Sequence, residues 1–233
     1  MTVSRKFITA LRRELAAAAN PKAAPAMQAY MKSAMPFYGI KATPLRQIAG
    51  AVIQQVPLQD FVQWRDTVLA LWRGAKFREE RHCAIELCGA KPYRYCQTPQ
   101  ALPIYEEMIV TGAWWDFVDV IAAHRIGDLL KHYPKPMKAT LKQWSRCDDI
   151  WKRRTAILSQ LRFKENTDLA FLYQCIEPSL GSNEFFLQKA IGWALRTYAW
   201  CDIDEVIRYV KHQRSLSPLS QREALKNRAK LKP

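Results

Sequence analysis

A tryptophan pair followed by an aspartate is the first arrangement in the sequence whose residue types and spacing could do chemistry. Within residues 111–130, Trp114 and Trp115 are adjacent, and Asp119 comes four residues after Trp115. Residues four apart share one face of a helix, so an indole and a carboxylate would lie side by side. An ionised carboxylate placed in this way can stabilise developing positive charge. The alternative is a core tryptophan pair, with Asp116 as a helix cap and Asp119 in solvent.

A run of cations near a predicted helix start is the second arrangement. Lys152, Arg153 and Arg154 follow Asp148, a predicted N-cap residue, within residues 148–161. Positive side chains in the first turns of a helix oppose its dipole, so this run needs another reason. A bound phosphate would supply one, because helix N-termini and guanidinium groups both favour anions. The alternative is a solvated run of charges.

The third arrangement interleaves cations with an indole in residues 182–198. Lys189, Trp193 and Arg196 are spaced four and three residues apart and would form one stripe on a helix that Asn183 could cap. Such a stripe suits a surface that touches both phosphates and bases or sugars. Gly192 costs ~1 kcal/mol relative to alanine within a helix, which the close approach of another backbone would explain. The alternative is a core Trp193, with Gly192 easing helix packing.

The composition favours a polyanionic partner. The chain has 36 Lys and Arg against 21 Asp and Glu, for a formal net charge of +15. A surplus of this size attracts nucleic acid and speeds encounter with it. An anionic membrane surface is the competing reading, and it is weaker because the cations are spread along the whole chain instead of lying beside an anchor. No apolar run approaches the ~18 residues that cross a bilayer.

The cysteines indicate a reducing compartment and no metal. None of the six lies in a C-x-x-C pair, so zinc or iron–sulfur ligation is poorly supported and reduced core thiols are expected. The N-terminal segment lacks an uninterrupted signal-peptide core and resembles an amphipathic first helix. The sequence therefore predicts a cytoplasmic protein without cofactor or metal, associated with the nucleoid through DNA.

Apolar residues recur three and four positions apart, which predicts helix after helix. Phe7, Leu11 and Leu15 form one such stripe, and prolines at 21, 44, 99, 134 and 218 mark helix starts. We expect roughly twelve or thirteen helices of about 12–18 residues, paired every 35–40 residues or so in a single domain over residues 1–233. The prediction is an all-α solenoid of HEAT-like repeats, with a globular helical bundle as the alternative.

Five strings in this order resemble the AlkD-type DNA alkylation-repair glycosylases. They are AYMKSAMPFYGIKATPLR (29–46), WWDFVD (114–119), IWKRRTAI (150–157), EFFLQKAIGWALR (184–196) and PLSQREALK (218–226). The resemblance implies HEAT-like repeats that curve around duplex DNA with a concave basic face. It also implies a catalytic group of Asp119 between Trp115 and Trp193. The DNA-binding residues it implies, directly or through matching strings, are Tyr30, Lys152, Arg153, Arg154, Phe185, Phe186, Lys189 and Arg196.

The implied reaction is hydrolysis of the N-glycosidic bond of a cationic alkylated purine. Such a base is already a good leaving group, so no general acid is needed and the carboxylate of Asp119 alone could suffice. The resemblance also implies that the base need not be flipped into a deep pocket. Three other functions remain open from the sequence: a non-catalytic DNA- or RNA-binding protein, a protein-interaction scaffold, and a membrane-surface protein. A monomer without an obligate protein partner is expected.

Overall fold

The computed structural model describes residues 2–231, and within this range the chain is all-helical. Its contacts divide the chain into two units, one up to Gln97 and the other from Thr98. None of the helices in the described range combines the length and apolarity needed to cross a membrane. The predicted all-α class is confirmed, while the solenoid arrangement and the single-domain organisation stay predictions.

The first unit holds five α-helices. They are α1 (Arg5–Ala17), α2 (Ala24–Met31), α3 (Ala42–Gln55), α4 (Phe61–Arg73) and α5 (Arg78–Gly89). The α1 stripe of Phe7, Leu11 and Leu15 is buried as predicted. Ser4 begins this helix, because its side chain accepts a hydrogen bond from the amide of Phe7.

Two buried glutamates of α5 hold the loop that precedes α3. Glu79 accepts hydrogen bonds from the backbone amides of Tyr38, Gly39 and Ile40 at 2.9–3.1 Å. Its neighbour Glu80 forms an ion pair with an arginine of α1 and accepts a hydrogen bond from the Tyr38 hydroxyl. Since buried carboxylates must be paired, these bonds give a reason for the conformation of the loop.

The second unit carries the remaining helices of the described range. They are α6 (Leu102–Gly112), α7 (Trp115–Val120), α8 (Gly127–His132), α9 (Pro134–Trp144), α10 (Ile150–Leu158), α11 (Leu169–Ile176), α12 (Phe185–Tyr198), α13 (Ile203–His212), α14 (Pro218–Ala224) and α15 (Arg228–Leu231). A π-helical turn, Ile121–Ile126, joins α7 to α8. The core of this unit packs α12 against α10, α13 and α14, and α11 contributes Leu172 and Ile176 to it.

Five helices of the described range, α1, α3, α4, α5 and α12, have the predicted length, with 12–14 residues, and the remaining α-helices are shorter. Pro99, Pro134 and Pro218 do begin helices, and Ser217 caps the last of these. Pro21 instead lies in a turn, and Pro44 is the third residue of α3. Proline is tolerated throughout a first helical turn, which is why it locates a start only to within a few residues.

Two predicted helix caps were wrong by one residue. Asp149, and not Asp148, caps α10, because its carboxylate accepts hydrogen bonds from the amides of Trp151 and Lys152. Glu184 occupies the N-cap position of α12 in place of Asn183, without a side-chain cap hydrogen bond. Adjacent polar residues both have capping ability, and only the backbone conformation chooses between them.

Candidate active site

A buried ion pair between α7 and α10 forms the centre of the site. Arg154 donates from Nε to Oδ1 of Asp119 at 2.7 Å and from Nη2 to Oδ2 at 2.8 Å. The two side chains are 5% and 12% exposed, respectively. A bidentate guanidinium is the strongest partner a carboxylate finds among side chains, and it fixes the plane of the carboxylate. The solvated Asp119 considered from the sequence is therefore wrong.

The electrostatics of the pair leave Asp119 easier to protonate than an ordinary aspartate. Burial raises the pKa of Asp119, the guanidinium of Arg154 opposes that rise without cancelling it, and the charge of Asp116 adds to it. Desolvation disfavours the charged form of a carboxyl group, which is why burial acts in this direction. A shifted group in such surroundings is a candidate for function.

The same arginine connects the carboxylate to α12. Its Nη1 donates to the backbone carbonyl of Phe186, in the first turn of α12. The ring of Phe186 contacts those of Trp114 and Trp151, with centroids 5.4 and 4.9 Å apart. Arg154 thus links α7, α10 and α12. An aromatic cluster of Trp114, Trp151 and Phe186, from the starts of these three helices, lies beside the ion pair.

The two tryptophans predicted to flank the carboxylate are both half-buried. Trp115 is the first residue of α7, one turn before Asp119. Trp193 lies on α12, two turns after Phe186, and packs against the core of the second unit. One part of the Trp193 side chain therefore packs against the core, and another part is exposed at the surface. Whether the two indoles converge on one substrate group stays a prediction.

The remaining predicted aromatic residues differ in exposure. Tyr30, on α2 of the first unit, is 76% exposed, and Phe185 is 56% exposed at the start of α12. The ring of Phe185 meets that of Phe186 edge to face, with centroids 5.4 Å apart. Large aromatic side chains are costly to leave in water, so two such exposed rings are available for contact.

Each predicted cation has a partner within the protein. Lys152 pairs with Glu106 at 2.6 Å, and Arg153 donates to the carbonyl of Pro178 and the hydroxyl of Ser179. Lys189 and Arg196 share the carboxylate of Glu223. The solvated charge run considered for residues 152–154 is therefore wrong. The sequence contains the acidic partners, but nothing local in it indicates which cation each would meet.

Gly192 leaves the space in which α14 packs against α12. A Cβ atom at this position would overlap the side chain of Glu223 and lie 2.9 Å from the carbonyl oxygen of Ser220. The close approach that the sequence suggested comes from α14 of the protein itself. The absence of a side chain lets α14 pack tightly enough for Glu223 to reach both cations of α12.

The geometry defines what the carboxylate can do. Each oxygen of Asp119 accepts one hydrogen bond from Arg154, and a carboxylate has about four acceptor positions. One lone pair on each oxygen therefore remains for a water molecule or a polarised C–H group. An ionised carboxylate with this freedom can stabilise a cation or orient water, whereas backbone amides would have used its lone pairs.

The fold and the site together define a class of protein: an all-helical, strongly basic chain with one fixed carboxylate beside an aromatic cluster. A family model described as DNA alkylation repair enzyme matches residues 11–227, so the chain belongs to the DNA alkylation repair enzyme family. Membership of this family supports a role in DNA repair.

One solved structure agrees with this assignment. It is described as a predicted DNA alkylation repair enzyme from Enterococcus faecalis. The similarity has a TM-score of 0.82 at 29% sequence identity and covers 91% of this chain and 97% of that one. No curated protein sequence matches the chain.

Proposed function

We propose that the chain is a monofunctional DNA glycosylase that releases cationic alkylated purines from duplex DNA. The proposed substrates are 3-methyladenine, 7-methylguanine and bulkier N3 or N7 adducts. The observation that carries the proposal is the Asp119 carboxylate, held by Arg154 at the edge of the aromatic cluster with a lone pair left on each oxygen. Membership of the DNA alkylation repair enzyme family supports it further.

The chemistry requires only one carboxylate. An N3- or N7-alkylated purine leaves without protonation, so the barrier lies in the positive charge that develops on the deoxyribose as the N-glycosidic bond lengthens. Ionised Asp119 faces that charge, stabilises it and orients the attacking water. The indoles of Trp115 and Trp193 add cation–π contacts to the sugar and base, each of about 0.5–2 kcal/mol.

Arg154 acts on this site mainly by positioning Asp119. Its guanidinium is buried and engaged by Asp119 and the Phe186 carbonyl, so contact with a DNA phosphate is left to the N–H groups that these bonds do not use. We therefore assign it the orientation of the carboxylate first and the DNA backbone second. The sequence resemblance by itself assigns Arg154 only the contact with the DNA backbone.

The remaining predicted residues provide the DNA contacts. Lys189 and Arg196 share one acceptor, so this group keeps a net positive charge that can meet a phosphate. Lys152 and Arg153 contribute N–H groups that their protein partners leave open. The exposed rings of Tyr30 and Phe185 pack against the sugar-phosphate backbone. The protein acts as a monomer on HEAT-like repeats that follow the duplex.

The test is release of 7-methylguanine and 3-methyladenine from methylated duplex DNA by the wild type and by Asp119→Asn. The matched control is Asp128→Asn, which changes a half-buried aspartate later in the same helical segment. We expect base release by the wild type and the control at similar rates, and a rate for Asp119→Asn lower by roughly 10²–10³-fold.

Two outcomes contradict the proposal. A folded wild type that binds DNA without releasing either base would identify a non-catalytic binding protein. Release by Asp119→Asn at the wild-type rate would remove the carboxylate from the mechanism. Circular dichroism and thermal unfolding of each variant separate loss of activity from loss of fold.

A further inference from the structure

Helix α9 carries a basic face that the site described above does not use. Met137, Leu141 and Trp144 are buried and lie on one side of the helix. With 3.6 residues per turn, Lys135 and Lys142 fall on the opposite side, and Arg146 lies in the turn that follows the end of the helix at Trp144. All three are exposed. We call these three residues the α9 basic face.

No acidic residue of the described chain neutralises this face. Residues 134–146 contain neither aspartate nor glutamate. The three side chains have no ion-pair partner among residues 2–231, and Arg146 donates only a long hydrogen bond to the backbone of its own helix turn. This contrasts with the five cations predicted to bind DNA, each of which has a partner within the protein.

A cleft of about 500 Å³ beside α9 extends the positive charge. Four cations and two carboxylates line it, which leaves an excess of positive charge, and Lys138 is neutralised by Asp168 at 2.5 Å. The cations are Lys131, Lys138, Arg162 and Lys164, and the carboxylates are Glu165 and Asp168. Neither Lys131 nor Lys164 has an ion-pair partner in the described part of the chain. Lys164 also adopts a left-handed backbone conformation, which is unusual for a lysine. Free cations therefore continue from the helix into the cleft.

The composition of the face favours nucleic acid over a protein partner. The cores of protein interfaces are enriched in aromatic and other large apolar side chains. The exposed large apolar residues of the described chain all lie on other segments, while α9 exposes Lys135, Pro136, Ala139, Lys142 and Gln143. Binding to a phosphodiester backbone needs only cations and small polar groups.

The buried side of α9 packs against α10, the helix that carries Arg154, so the α9 basic face points away from that helix. We propose that the α9 basic face binds a second segment of nucleic acid, distinct from the duplex that presents its lesion to Asp119. From Lys135 to Arg146 the face extends about 17 Å along the helix, the length of about five base pairs. Binding is through phosphates and independent of sequence. The protein would thereby hold a neighbouring stretch of DNA while the lesion site acts on another.

The first experiment measures how many undamaged 10-base-pair duplexes one chain binds, by sedimentation or calorimetry at low salt. We expect two for the wild type and one for a triple variant, Lys135→Gln, Lys142→Gln and Arg146→Gln. The salt dependence of the second binding step should have a logarithmic slope of about −3, for three phosphates neutralised.

The control removes the same net charge elsewhere. Arg5→Gln, Lys22→Gln and Lys211→Gln change exposed cations on other segments. This variant should still bind two duplexes. A single duplex on the wild type, or equal loss of the second duplex in both triple variants, would overturn the proposal, since the effect would then be absent or due to net charge alone.

The second experiment locates the duplex by lysine acetylation and mass spectrometry. Excess duplex should protect Lys135 and Lys142 from acetylation and leave Lys22 and Lys211 reactive. This readout does not involve base release, so it stands whether or not the glycosylase proposal holds. Reactive Lys135 and Lys142 under saturating duplex, or protection by polyglutamate alone, would contradict a nucleic-acid site.

Discussion

Glu79 in the first unit and Asp119 in the second are both buried carboxylates, yet they are held in different ways. Glu79 is 1% exposed and accepts hydrogen bonds from three backbone amides. Asp119 is held by the side chain of Arg154 and keeps part of its surface accessible. A carboxylate held by three backbone donors organises a loop, whereas one oriented by a single guanidinium remains available for chemistry. Burial by itself does not distinguish the two roles.

The sharpest test of this comparison exchanges each carboxylate for its amide. Asp119→Asn should slow base release by roughly 10²–10³-fold, because a charge opposite the developing cation is lost. Glu79→Gln should lower the free energy of unfolding by about 2–3 kcal/mol and leave the rate per folded molecule unchanged, because its amide group cannot accept all three hydrogen bonds. Urea unfolding and single-turnover base release measure the two effects separately. Loss of activity in folded Glu79→Gln would break the comparison.

The loop that Glu79 holds can be tested at Gly39. This residue has a φ of +84°, and a Cβ atom there would overlap the carbonyl oxygen of Asn20. Gly39→Ala should therefore reduce the free energy of unfolding by about 1–3 kcal/mol without changing the rate of base release.

Gly50→Ala is the matched control for this substitution. Gly50 lies within α3, where an added Cβ atom meets nothing within 4 Å. Alanine should stabilise that helix by ~1 kcal/mol. Equal effects of the two substitutions on urea unfolding would show that the loop is not constrained as described.

The Asp119 side of the comparison can be sharpened through its pH dependence. Arg154 lowers the pKa of Asp119, against the effect of burial. Arg154→Lys replaces a bidentate fork by a point charge, so the pKa should rise and the acidic limb of the pH–rate profile should move to higher pH. We expect a loss of roughly tenfold at neutral pH from the weaker orientation of the carboxylate. An acidic limb at the wild-type pH would show that Asp119 is not the titrating group.

The smallest predicted effect is a shift of the acidic limb of the pH–rate profile in the opposite direction, to lower pH. The charge of Asp116 raises the pKa of Asp119. Asp116→Asn removes that charge, so the acidic limb should move to lower pH while the rate at neutral pH changes little. A shift in the same direction as that of Arg154→Lys would contradict the electrostatic description of the site.

Several features of the fold could be predicted because their causes are local. The apolar spacing of Phe7, Leu11 and Leu15 made α1 predictable, and all three side chains are buried. The same helical period placed Trp115 one turn from Asp119. Helix bounds and caps were less accurate, because neighbouring residues compete for the same role at a helix end.

The amino-acid sequence by itself determined the all-helical class, the positive charge and the types of side chain available for the site. Only the tertiary structure decided how those side chains are paired. Arg154 meets Asp119 across 35 residues, Lys152 meets Glu106 across 46 and Arg196 meets Glu223 across 27. Helical periodicity relates residues three or four apart, whereas an ion pair between helices depends on how their faces pack. The sequence therefore contained no sign that Arg154, a predicted phosphate ligand, pairs with Asp119.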